Sequence, residues 1–142
     1  MRKYCLFVFI ALLTIVSCGS NQIIYDDTVP EKETAIIQPS ASIVINTFDG
    51  NYVFWKAGFS KGTKITIPAG EHKLTVGLIS ALDAGGVTHH GGNFLFSYNF
   101  EPGHLYFLRF EHYNQVSKEL QLRLDDKTTG SKNDIKAYQH EE

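Results

Sequence analysis

From residue 34 onward, apolar and polar residues change places at every second position, the repeat of a strand that buries one face. Thr34–Gln38 and the β-branched run Ser42–Phe48 come first, and Asp49-Gly50 then supplies a pair favoured in two-residue hairpin turns. Asn51–Trp55 leaves that turn. Thr63–Ile67 sets Ile65 and Ile67 on one side, between turns at Lys61-Gly62 and Pro68-Ala69-Gly70, and His72–Leu82 aligns Leu74, Val76 and Leu78. A glycine-rich gap, Asp83–Gly92, precedes Asn93–Phe100, where Phe94, Phe96, Tyr98 and Phe100 share a face. Glu101-Pro102-Gly103-His104 turns the chain again. Leu105–His112 aligns Tyr106, Leu108 and Phe110, and Lys118–Leu124 aligns Leu120, Leu122 and Leu124. This spacing, with no convincing helical period, predicts an all-β domain: a small antiparallel β-sandwich of about seven or eight strands over 34–124.

The flanks lose the alternation. Gly19 to about Glu33 is polar, broken and without period, and is expected to be a flexible tether whose fifteen residues reach at most about 50 Å. The stretch 125–142 is equally polar and is expected to fray, with a helical turn in Asp134–His140 at most.

The N-terminus follows a different rule. Arg2 and Lys3 precede an unbroken apolar stretch, Tyr4–Val16, whose thirteen residues would rise only about 20 Å as a helix, against a hydrocarbon layer of about 30 Å. This is the pattern of a signal-peptide core over residues 1–17. An uncleaved anchor is a second reading. A third has Cys18 as a buried thiol or the disulfide partner of Cys5, but Tyr4–Val16 has no amphipathic face on which such a helix would pack. The run Ile15-Val16-Ser17-Cys18 resembles the bacterial lipobox. The resemblance implies cleavage before Cys18, a diacylglyceryl thioether on its sulfur and an acylated amine, with residues 18–33 forming a lipidated N-terminus. Cys5 would then be discarded, leaving no thiol pair for a disulfide or redox site.

Composition sharpens this picture. The 142-residue chain is 43% hydrophobic and 13% aromatic, enough for one packed domain, and its pI of about 6.3 lacks the basic footprint of a nucleic-acid binder. Removing Arg2 and Lys3 takes the basic residues from 13 to 11 against 15 carboxylates, a net charge of −4. So acidic a body gains nothing electrostatically from an anionic lipid surface, and acyl chains at Cys18 would have to hold it. Gly19 after the cysteine implies, in Gram-negative relatives of the lipobox proteins, passage to the outer membrane.

A second resemblance spans roughly residues 42–124. Asp49-Gly50, then Ile65-Thr66-Ile67-Pro68-Ala69-Gly70-Glu71-His72-Lys73-Leu74-Thr75-Val76, then Phe100-Glu101-Pro102-Gly103-His104-Leu105-Tyr106 resembles small PEGA-like, carboxypeptidase-regulatory-like domains. The resemblance implies a β-sandwich without enzymatic activity, serving as an envelope or adhesive module.

Candidate chemistry is sparse. His89 and His90 lie in the glycine-rich gap and are weak candidates for a metal site, which would need three or four ligands converging within about 2.0–2.2 Å. Their alternative is a solvated loop tip, with His72 and His104 bonding loop backbone. No serine has G-x-S-x-G surroundings, and Asp125-Asp126 beside a polar tail reads as solubilising. The exposed aromatics carry more. Tyr52 and Phe54 cannot share a face with Val53 and Trp55, so one pair points outward, and Tyr52, Phe54 and Trp55 form the possible binding surface. The expected protein is a non-enzymatic binding or structural module of the bacterial envelope, membrane-anchored through Cys18, without cofactor. Its partner would be an envelope protein or glycan. Alternatives are a surface-exposed adhesin and a periplasmic metal-binding or enzyme accessory protein.

Overall fold

The computed structural model describes residues 22–53, 63–82 and 86–140, apart from the side chains of 22–23 and 79–91. Among the described residues there are ten strands: β1 (Gln22–Ile24), β2 (Thr34–Pro39), β3 (Ile43–Phe48), β4 (Asn51–Tyr52), β5 (Lys64–Pro68), β6 (Gly70–Leu82), β7 (Gly86–Phe100), β8 (Leu105–Asn114), β9 (Glu119–Asp126) and β10 (Lys132–Gln139). A 3-10 turn, Glu31–Glu33, leads into β2. Among the described residues no helix is long and apolar enough to cross a membrane. The signal segment 1–17 and Cys18 lie outside the described residues.

All ten strands join one curled, mixed sheet in the order β1-β5-β2-β8-β9-β10-β7-β6-β3-β4. The β1–β5 and β2–β8 pairs are parallel, and the rest are antiparallel. The all-antiparallel expectation is therefore corrected. Polar linkers carry the chain from β1 to the far side of β5 and from β2 out to β3, and such returns permit parallel neighbours where two-residue hairpins would not.

Inward positions are those the alternation marks. Leu74, Val76, Leu108, Leu120, Leu122 and Leu124 are all but inaccessible and meet Phe94, Phe96, Phe100 and Tyr106 in one core. Each such side chain contributes roughly 1.5–3 kcal/mol of transfer free energy. Turn chemistry sets the register. Asp49 (φ 48°) and Gly50 (φ 79°) both adopt the left-handed region that a two-residue hairpin with the strand twist requires. At the β7–β8 turn Gly103 (φ 78°) follows Pro102, the order a type II turn demands.

Three polar stretches are strands, against expectation. Residues 132–139 form β10, which pairs with β9 from Lys132 to Tyr138 and with β7 at Tyr138 and Gln139. Its period is carried by Ile135 and Ala137 alone, both buried, between the exposed Lys132, Asp134, Lys136 and Tyr138. Within the expected tether, Gln22–Ile24 adds to the margin of β5. Gly86–Gly92, expected as part of a loop, extends β7 because β6 runs on to Leu82 and offers it backbone partners, with two register shifts absorbing the mismatch.

The margins of the sheet meet. Tyr25, just after β1, donates from its backbone N–H to Thr66, stacks its ring 4.5 Å from that of Phe48, and receives the Asn51 side-chain amide at its hydroxyl.

A chain truncated after Asp126 should lose its cooperative melt and near-ultraviolet dichroism, because β9 and β7 are joined only through β10 in the sheet order. A native-like melt would show residues 127–142 to be dispensable.

Candidate functional site

The outer face of the sheet carries a lateral row. Tyr52 on β4 opposes Thr47 on β3, Thr47 opposes Thr75 on β6, Thr75 opposes Leu95 on β7, and Leu95 opposes Tyr138 on β10. Residues opposed across antiparallel strands share a face, so these five line up across four strand spacings, about 19 Å. The tyrosines at the two ends are exposed, 59% at Tyr52 and 56% at Tyr138. Between them lies a groove of about 410 Å³ lined by Thr47, Thr75, Leu95, Lys73, Asp49 and His140. Its floor is fixed by a buried hydroxyl pair, Thr47 Oγ1 and Thr75 Oγ1 at 2.6 Å. One hydroxyl donates to the other, leaving the second proton to turn elsewhere. Among the described residues Lys73 makes no ion pair, and it lines the groove together with the Asp49 carboxylate, which pairs with His72.

A second depression of about 490 Å³ crosses β8, β9 and β10 beside Glu111, Arg123, Asp134 and Lys136. Its charges are already matched. Arg123 meets Asp134 at 3.0 Å and Glu111 at 3.6 Å, and Lys136 meets Glu119 at 3.3 Å. The groove between the tyrosines is the better candidate because it offers threonine hydroxyls and the Lys73 cation, with an exposed tyrosine at each end of the row.

Two imidazole–carboxylate pairs stand at the turn end of the sheet. His72 Nδ1 lies 2.7 Å from Asp49 Oδ2, while the other oxygen of Asp49 accepts the Lys73 backbone N–H at 2.9 Å. His104 Nδ1 lies 2.9 Å from Asp126 Oδ2. Asp126 is buried, and its Oδ1 also accepts the backbone N–H of Thr128 and Thr129 at 2.9 and 3.3 Å, its Oδ2 the Thr129 hydroxyl at 2.7 Å. Burial alone would raise this carboxyl, but the donors from Thr129, Thr128 and His104 together outweigh it and hold the group below its ordinary range. An ionised carboxylate only accepts, so His104 Nδ1 carries the proton. Between the pairs runs a chain of rings. Phe48 lies 4.5 Å from His72, Phe100 lies 5.2 Å from Tyr106, and Tyr98 lies 5.7 Å from Tyr106. Burial foremost, then the carboxylates of Asp126 and Glu101, raises the Tyr98 phenol.

Among the described residues the buried His72 Nε2 has no hydrogen-bond partner, and its ring packs 4.5 Å from that of Phe48, so that nitrogen lacks the hydroxyl or open substrate site a base needs. Both pairs hold turns. The expected backbone bonding of His72 and His104 is thus corrected to carboxylate bonding, and Asp125-Asp126 are not solvated but buried, Asp125 under Lys127 and Arg109.

Of the residues singled out in the sequence, Tyr52 stands exposed at one end of the groove and its neighbour Val53 is buried. Phe54 and Trp55 lie outside the described residues, as does Cys18. His89 and His90 fall within β7 with His90 opposite Ile79, their side chains outside those described. Among the described residues no three His, Cys, Asp or Glu gather as a metal site would require. Tyr138 and His140 escaped the sequence reading because they belong to the polar stretch. The alternation of Ile135 and Ala137 was the signal that could have found them.

Replacing Thr75 with Val should strand the Thr47 hydroxyl and cost about 1–3 kcal/mol in chemical denaturation, whereas Tyr138→Ala should stay within about 0.5 kcal/mol. The Asp126 carboxylate contributes stability that is full above 3.8, declines as the pH falls through that ordinary value, and is gone below the depressed folded value. Asp126→Asn should therefore be less stable than the parent at pH 7 and lose less on acidification, read from denaturant midpoints between pH 7 and pH 2.5, about a unit below the ordinary value. Compared with known proteins, the chain matches no family model, no curated sequence and no solved structure.

Proposed function

We propose that this protein is a lipid-anchored lipoprotein of the bacterial envelope, held by acyl chains at Cys18, whose β body is a non-enzymatic binding module. The groove between Tyr52 and Tyr138 supports the binding half of this reading, and the run Ile15-Val16-Ser17-Cys18 behind an apolar core supports the anchoring half. On this reading the sheet, curled until Tyr25 meets Phe48, is the β-sandwich of a small PEGA-like, carboxypeptidase-regulatory-like domain. The outer membrane is its place in a Gram-negative host.

The ligand is an envelope glycan or an extended segment of an envelope protein. Two tyrosines about 19 Å apart suit a chain-like molecule better than a compact one, since flat rings at both ends give a sugar or side chain an apolar face to rest on. Lys73 and the threonine hydroxyls between them supply polar contacts. A net charge of −4 on the mature chain leaves electrostatics unable to retain it at an anionic surface, so the acyl chains are the retaining force.

Growth in radiolabelled palmitate tests the anchor. The parent chain should take up label and shift on cleavage, whereas Cys18→Ser should take up none and accumulate as precursor. Equal label in both would end the lipoprotein reading.

A further inference from the structure

We infer that the cleft between the ends of β7 and β10 is a strand-addition site, separate from the groove described above, that takes the extended C-terminal tail of a partner protein, carboxylate first. The two strands are zipped together at one end only. His140 donates its backbone N–H to the Asn93 carbonyl at 2.7 Å, and Tyr138 and Gln139 oppose Leu95 and Phe94. The same register carried onward would set Lys136 against Ser97 and Asp134 against Asn99, but no ladder pair forms there. β10 stays with β9 down to Lys132. β7 leaves that plane and packs across the interior, with the rings of Phe100 and Tyr98 5.2 and 5.7 Å from that of Tyr106 on β8. Packed layers stand about 10 Å apart, roughly twice the spacing of paired strands, so the cleft has the width of one inserted strand.

The borders of the cleft offer backbone groups to such a strand. Gln139 sends its N–H to the Lys118 carbonyl on the β9 side, and His140 sends its own to Asn93 on the β7 side. Main-chain groups alternate in direction along a strand, so those of Asp134 and Lys136 point into the cleft. Asn93 presents its carbonyl to β10, and by the same alternation Ser97 and Asn99 turn theirs into the cleft. All four residues are exposed. Donors and acceptors at this repeat are matched by another extended backbone. The Tyr138–Leu95 pair closes one end, so a strand enters from the turn end and must stop at that pair. The occupant is therefore a chain terminus.

Charge selects which terminus. Lys73 on β6 opposes Ser97, and Lys136 stands level with Ser97 across the cleft, so two ammonium groups flank the closed end on the outer face. Lys136 meets Glu119 on its β9 side and keeps a side chain 62% exposed. One row nearer the mouth stand Glu71, opposite Asn99, and Asp134, whose side chain is 81% exposed although it meets Arg123. A cationic end and an anionic mouth suit a tail that finishes in a carboxylate and carries a lysine or arginine two residues before it. The residue between those two faces inward and is apolar, because Ile135 is buried on that side and Tyr98 is half-buried. There the Asn133 amide reaches across to the Tyr98 hydroxyl at 3.1 Å and floors the cleft. Such a tail runs antiparallel to β7 and parallel to β10.

Fluorescence anisotropy on the full chain in a non-ionic detergent tests this with one probe, a dye-labelled peptide of sequence glycine-glycine-valine-lysine-valine-serine with a free carboxylate. The acid should bind at least about tenfold more tightly than the same peptide ended as an amide. Methylating the backbone nitrogen of its last valine, which would donate to the Asp134 carbonyl, should abolish binding. Lys136→Glu should erase the preference for the acid. Ser97→Pro removes an N–H that faces the cleft and leaves the β6 ladder its bonds, so it should weaken the acid about tenfold while the far-ultraviolet dichroism stays that of the parent. Amide exchange needs no variant: the Ser97 and Lys136 N–H groups should exchange freely in the unbound chain and become protected when the peptide is added. Acid and amide binding alike, no binding up to millimolar peptide, or protection of Ser97 and Lys136 already in the unbound chain would each overturn the proposal.

Discussion

Tyr25 leaves β1 at one margin of the sheet and lays its ring on Phe48 near the other. A sheet of ten strands left open would expose one face of its core and two margins of unpaired backbone, and both are hazards in water. The Tyr25–Phe48 contact draws the margins together, so that rows of leucine and phenylalanine from β6 to β9 face one another across a shared interior. The rest follows from this closure. Phe48 is also the ring against which His72 packs, and His72 in turn fixes the Asp49 turn. The corner where the sheet closes and the corner that shapes the β3–β4 hairpin are thus one packed unit.

Curling has an opposite effect outside. Side chains on a convex surface splay apart, which separates Tyr52 from Tyr138 and leaves space above the short threonines between them. Small hydroxyl residues, Thr47 and Thr75, line the groove where larger side chains would fill it. The neighbouring outer face of β8, β9 and β10 is filled by long charged side chains that pair with one another. One sheet therefore presents two surfaces of different character. The first keeps an open groove, and the second is a solvated cover over the core.

The core was legible in the sequence wherever the inward residues were large. Ile65, Leu74, Phe94, Tyr106 and Leu122 all lie where their alternation sets them, because a side chain of that size has no other place to go. Legibility failed where the inward residue was small or the strand short. β10 turns only Ile135 and Ala137 inward among charged neighbours, and β1 is three residues that depend on a partner far along the chain. The glycines of β7 argued for a loop, yet a long partner strand overrode their weak propensity. The groove was half visible. Tyr52 stood out through its parity with Val53, but Tyr138 became meaningful only when the C-terminal strand was set beside β7.

The position of that last strand governs when the molecule can finish folding. β10 is hydrogen-bonded to β9 on one side and β7 on the other, so the final residues of the chain are the keystone between two half-sheets, β1-β5-β2-β8-β9 and β7-β6-β3-β4. Until residues 132–139 are in place the two halves have no strand to join them, so the interior they share closes only when this segment docks, and pairing within each half can precede it without sealing the core.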